Sequence, residues 1–135
     1  MSNRYYLAGP MTGIAQFNFP AFHAAAARMR ALGFAVISPA EEDAPEVRTA
    51  ALLSPDGKLG HDIAGHTWGD ILAKDVKIVA DHVQGIVFLP GWEKSRGARL
   101  EAFVALLCGH EFAEYCPRAG LSPRPASWVQ ERLLV

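Results

Sequence analysis

The chain has 135 residues, half of them hydrophobic and a fifth charged, enough for one folded domain around one core. A formal charge of −1 with scattered basic residues argues against a nucleic-acid polymer as partner, although a single nucleotide stays open. No basic leader with an apolar stretch opens the chain, and no apolar run nears the ~20 residues that cross a bilayer. A cytoplasmic protein without membrane contact is the expectation. Cys108 and Cys116 have neither CxxC nor histidine spacing, so they read as reduced thiols and not as a zinc site.

In chain order, Asn3 to Ala8 is a short β-prone run stopped by Gly9-Pro10. Met11 to Phe17 reads as a loop. "NFPAFHAAAARMRALG" reads as a helix, with Asn18 as N-cap, Pro20 in the first turn and Gly33 at the end. "FAVISP" is a second strand. Residues 40 to 66 show no sustained periodicity and read as a long loop, which in a small domain is usually functional or mobile. Helical spacing returns from Thr67 to Ala80, and "GIVFLP" is a continuous apolar run of the kind buried on both faces. A third helix is predicted over Arg96 to Gly109, burying Leu100, Phe103, Val104 and Leu107, with Glu101 beside that stripe. "EFAEYC" is a weaker strand, and the Pro-rich remainder allows only a last turn or two at "SWVQERLLV".

This β-α-β-α-β-α-β order predicts an α/β fold, a three-layer doubly wound sandwich of Rossmann or flavodoxin type, whose mostly parallel sheet has four or five strands. Ligands in such sheets lie outside the carboxyl ends of the strands. Three loops qualify: Gly9 to Phe17, the segment from Ser38 onward, and "GWEKSRG".

Several residues in these loops and their helices could carry chemistry. Glu101 near a helix start is either a carboxylate favoured by the helix dipole or part of a site, because Ser95, Gly97 and the helix-start amides form an anion cradle beside it. "YLAGPMTG" is neither a dinucleotide fingerprint nor a phosphate-binding Walker loop. Tyr6 offers a hydroxyl at the first strand's end or a core ring. Asp75, flanked by Lys74 and Lys77, is either a solvated mid-helix residue or a proton donor. Trp68 is either a core residue or a base-stacking one. His61, His66 and Asp70 lie close by without metal-ligand spacing.

Taken together, "YYLAGPMTG", "NFPAF", the mid-helix Asp75 and "LPGWEKSRGARLEAFVA" resemble the nucleoside 2-deoxyribosyltransferase-like superfamily. Within it the chain is most similar to small phage and bacterial proteins of the DUF4406 type and to nucleoside 5′-monophosphate N-hydrolases. The resemblance spans about residues 4 to 109. It implies that Glu101 is the nucleophile attacking C1′ of the sugar, that Asp75 assists at the base and that Tyr6 orients Glu101. It places the substrate among Gly9, Pro10, Met11, Thr12, Gly13 and Asn18 of the first loop, Trp68, and Gly91, Trp92, Ser95, Gly97 and Ala98. Six residues before the nucleophile, the nucleoside transferases carry an aspartate and the monophosphate N-hydrolases a serine. Ser95 stands there, and it removes a charge that would repel a phosphate. The arginine that the N-hydrolases carry in the first loop corresponds to Thr12, with Arg96 or Arg99 as substitutes.

The resemblance therefore implies hydrolysis or transfer of the N-glycosidic bond of a nucleoside 5′-monophosphate through a glycosyl-Glu101 intermediate, chemistry that needs no metal and no cofactor. A nucleotide-binding or nucleotide-sensing module without turnover is the alternative. The superfamily also implies a homodimer or higher homo-oligomer; Trp128, Leu133, Leu134 and Val135 either serve such an interface or cover the domain's own sheet.

Overall fold

The computed structural model describes residues 3–42, 45–57, 62–63 and 66–134. In chain order its elements are strand β1 (Arg4–Ala8), helix α1 (Phe19–Ala31), β2 (Ala35–Ile37), short helices α2 (Pro39–Glu42) and α3 (Pro45–Leu52), and two-residue strands β3 (Asp62–Ile63) and β4 (His66–Thr67). Then come α4 (Trp68–Asp81), β5 (Gly85–Phe88), α5 (Arg96–Cys108), β6 (Glu111–Cys116), β7 (Gly120–Arg124) and α6 (Ala126–Leu133). Five strands form one sheet in the order β2-β1-β5-β6-β7, and β3 and β4 form a separate antiparallel pair. The pairings are parallel except at the edge, where β7 runs antiparallel to β6.

Alternation along the central strands divides the core in two. Tyr6, Ala8, Ile86 and Phe88 face one side with Phe112 and are covered by apolar residues of α4, α5 and α6. Leu7, Val87 and Leu89 face the other, against Phe22, Ala25, Ala26 and Met29 of α1. All four residues of β5 are buried, as its unbroken apolar run demands. The chain is thus an α/β protein with a five-stranded, mostly parallel sheet.

Four local expectations change. Residues 40 to 66 are not one loop: α2, α3 and the β3–β4 pair lie within them, while positions 43, 44, 58 to 61 (His61 included), 64 and 65 fall outside the described residues, as does Val135. Helix α3 buries only Val47 and Ala51, a pair four apart, too little for periodicity to register. Asn18 does not cap α1 with its side chain. Its φ of 62° is left-handed, and its side-chain Nδ2 donates to the Pro10 carbonyl at 2.9 Å. The Pro-rich tail contributes β7, whose Pro123 is tolerated because an edge strand has one side without a ladder to supply. Finally, α5 buries Ala98, Glu101, Ala102 and Ala105, whereas Leu100, Phe103 and Leu107 are exposed. The small side chains let the helix lie close to the sheet, and that turns Glu101 inward.

Close approach also explains Gly9, at the exit of β1. A Cβ there would stand 2.8 Å from the Cβ of Leu89, an atom too near its own backbone to swing aside. Gly9→Ala is expected to cost about 1–3 kcal/mol by forcing the ends of β1 and β5 apart, as chemical denaturation would measure.

Candidate functional site

The chain passes from β1 to β2 on one side and later returns to place β5 on the other, so the segments leaving β1 and β5 diverge. Between them opens an inner cavity of about 110 Å³. Tyr6 and Gly9 contribute from β1 and its exit, Met11, Thr12 and Phe17 from the first loop, and Val47 and Ala51 from α3. Helix α4 adds Trp68, Leu72 and Asp75, and the start of α5 adds Ser95, Gly97, Ala98 and Glu101. An outer cavity of about 510 Å³ adjoins it, sharing Met11, Thr12, Trp68, Ser95 and Gly97.

Glu101 and Tyr6 meet at the floor. The Tyr6 hydroxyl donates to Glu101 Oε2 at 2.7 Å, with Tyr6 wholly buried and Glu101 only 6% exposed. Burial penalises the glutamate's charged form, the nearby Asp75 charge adds to that, and the Tyr6 hydrogen bond opposes both. The Glu101 carboxyl therefore titrates well above the ordinary glutamate range. Asp75 is itself only 7% exposed, so the solvated reading of that residue fails.

The helix starts around the cavity are built locally. Thr67 and Asp70 form a reciprocal capping box at α4: the Asp70 amide donates to Thr67 Oγ1 at 3.0 Å and the Thr67 amide to Asp70 Oδ2 at 3.2 Å. That gives Asp70 a structural role. At α5, Ser95 is the N-cap and its Oγ accepts from the Ala98 amide at 3.2 Å. The amides of the two residues between, Arg96 and Gly97, precede the first intrahelical bond, which Arg99 makes to the Ser95 carbonyl.

Of the residues anticipated for binding, Gly9, Met11, Thr12, Trp68, Ser95, Gly97 and Ala98 line the inner cavity. Trp68 is 48% exposed, which overturns its reading as a core residue. Pro10 and Gly91 line only the outer cavity. Gly13 and Asn18 line neither and instead shape the loop, Gly13 through the hydrogen bond its backbone amide donates to the Gly57 carbonyl. Trp92 is a core residue, stacked on Phe88 at 4.0 Å and packed against Trp128, because the turn after β5 folds back over the sheet. Arg96 lines the outer cavity, whereas Arg99 donates to the Arg132 and Leu133 carbonyls and holds the end of α6. Sequence reasoning missed Val47 and Ala51, whose helix was invisible to it, and Lys94.

The raised Glu101 pKa carries a stability consequence. A carboxyl that holds its proton more tightly when folded stabilises fully below the unfolded value and loses that contribution as pH rises towards the folded one. Glu101→Gln keeps an oxygen for Tyr6 and never ionises. It is expected to raise the melting temperature at pH 8 by roughly 3 °C or more, with the gain vanishing near pH 4. A melting temperature unchanged or lowered at pH 8 would contradict this account of the site.

The profile of the family described as "Domain of unknown function (DUF4406)" matches residues 3–113, from β1 into β6 and through every position lining the inner cavity. Neither a curated protein nor a solved structure matches the chain. Because the matched span takes in most of the chain and the whole of the cavity, the protein belongs to the DUF4406 family.

Proposed function

We propose that the inner cavity holds the sugar of a nucleoside 5′-monophosphate and that Glu101 attacks its anomeric carbon. The observation that carries this reading is the buried Glu101 carboxyl, oriented by Tyr6 at 2.7 Å and influenced by the Asp75 charge, at the floor of a cavity. At about 110 Å³ that cavity suits a pentose rather than a whole nucleotide, since sites for drug-sized ligands run to roughly 300–1,000 Å³. The base and the phosphate extend beyond it. The finer fold class, a doubly wound sandwich of flavodoxin type, belongs to this same reading.

In the first step Tyr6 holds Oε2 and Oε1 is the attacking atom. A bond forms from Glu101 to C1′ as the N-glycosidic bond breaks, and its electron pair leaves with the base. The base takes up a proton from Asp75. Two buried carboxyls this close do not both ionise readily, so the pair retains a proton to give, and its titration belongs to both residues. Water, or a second base, then attacks C1′ and releases Glu101. Ser95 brings a hydroxyl and no charge to the shared wall, which favours a phosphorylated sugar.

Self-association is part of the proposal, acting through α5. Leu100, Phe103 and Leu107 lie on its outer face at 39%, 53% and 74% exposure, and covering them with a second copy would withdraw that apolar surface from water. Phe103→Asp is expected to convert a dimer to a monomer in sedimentation; a wild-type protein already monomeric at micromolar concentration would remove this part of the proposal.

The central test incubates the protein with deoxy- and ribonucleoside monophosphates, modified pyrimidines included, and follows free base by chromatography. Release is expected, and Glu101→Ala should lower it at least roughly 10³-fold. The attacking carboxylate must be ionised, so the rate falls as pH drops through its raised pKa. Tyr6→Phe removes the hydrogen bond that lowers that pKa, so the acid limb should move to higher pH. Absence of base release across the whole panel would end the glycosidase reading, and binding without release would leave a nucleotide-binding module.

A further inference from the structure

The two adjoining cavities carry opposite charge. The inner one presents Asp75 and Glu101 and, among the described residues, no basic side chain. The outer one presents Lys94 and Arg96 and, among the described residues, no carboxylate. Nearby acids are turned to other tasks. Glu93 lies 3.9 Å from Arg132, and Asp70 accepts from the Thr67 amide. Arg30, Lys77, Arg124 and Arg132 each lie within ion-pair distance of a carboxylate, whereas among the described residues Lys94 and Arg96 do not.

Arg96 is also held in place. Its guanidinium carbon lies 5.1 Å from the centre of the Trp68 ring. A guanidinium in such a cation–π contact keeps N–H groups for a planar pair of acceptor oxygens. Lys94 adds a second positive charge from the turn that precedes α5. Between the two, Ser95 and Gly97 belong to both cavities, so a chain of phosphates starting at that wall would run outwards onto the cations. The outer space, about 510 Å³ against 110 Å³ inside, has room for more than one group.

We propose that the outer cavity is an anion subsite for a second phosphate, so that a nucleoside 5′-diphosphate or longer binds more tightly than the monophosphate that the inner cavity and shared wall accept. The orientation rests on the reading of the inner cavity as the sugar site. The anion subsite itself rests on the outer cavity alone.

Calorimetric titration at low ionic strength tests both parts. Inorganic phosphate and pyrophosphate probe the subsite without a nucleoside, and the common deoxynucleoside mono- and diphosphates probe it with one. Pyrophosphate is expected to bind about tenfold tighter than phosphate, and diphosphates about tenfold tighter than monophosphates, with both preferences shrinking as salt screens the charges. Lys94→Gln combined with Arg96→Gln should bring both ratios close to one. All four of Lys94, Arg96, Arg4 and Arg118 are exposed, so the pair Arg4→Gln with Arg118→Gln removes the same net charge elsewhere and should keep the ratios. Equal affinity for phosphate and pyrophosphate in the unaltered protein overturns the subsite, as does a preference that survives Lys94→Gln/Arg96→Gln. Base release from monophosphates without any diphosphate preference overturns it while leaving the glycosidase reading intact. A pyrophosphate preference lost in that variant, with no nucleotide bound, supports the subsite and removes the glycosidase reading.

Discussion

The structure around the cavity depends on a carboxyl buried where water cannot stabilise its charge. Glu101 sits on the sheet-facing side of α5, and its contact with Tyr6 ties that helix to β1. An acid in such a place must either hold its proton or be given donors, and one tyrosine hydroxyl does not offset burial and the neighbouring Asp75. The consequence is a group poised to change protonation with its surroundings. The other buried residues of α5 are alanines, so the backbone can come close enough for the hydrogen bond to form.

The opposite wall is shaped by backbone constraint. Gln16, Phe17 and Asn18 all have positive φ, a conformation that costs roughly 1–2 kcal/mol for each residue with a side chain. The Gln16 amide donates to the Ser54 carbonyl, its side chain donates to the Leu52 carbonyl, and Asn18 bonds Pro10. Gly57 completes the clamp: it has φ of 69°, and a Cβ there would stand 2.2 Å from the Ile14 carbonyl oxygen. These bonds hold Phe17 in the wall of the inner cavity and join the first loop to α3 and the turn after it. Strain of this kind persists where surrounding structure over-determines it.

Charge is arranged along the same crevice. Acids lie deepest, neutral donors at the shared wall, and cations outside. A ligand with an apolar or neutral end and an anionic end would be oriented by that gradient before any specific contact formed. Arg99, adjacent in sequence to the cradle, takes no part because three carbonyl groups, of Glu93, Arg132 and Leu133, hold its guanidinium.

Local order was legible in the sequence where one physical cause dominates. The unbroken apolar run of β5, the glycines that end α1 and α5, and the alternation of β1, α1, β2, α4, β5, α5 and β6 all follow from side-chain type and spacing, and these elements lie where they were expected. Ser95, Gly97 and Glu101 were legible as a cluster because a serine, a glycine and an acid at a helix start bring donors and charge together. Other features were not legible, because they depend on partners distant in the chain. Large apolar residues pointed to Leu100, Phe103 and Leu107 as the buried stripe of α5, yet close packing against the sheet selected the alanine face and with it Glu101. Trp68 lines the cavity, one of the two places its position allowed, whereas Trp92, expected beside the substrate, went to the core. Spacing along one chain establishes which faces an element has. Which face is buried, and whether a carboxyl meets a tyrosine 95 positions away, is decided by the volumes that other elements leave open.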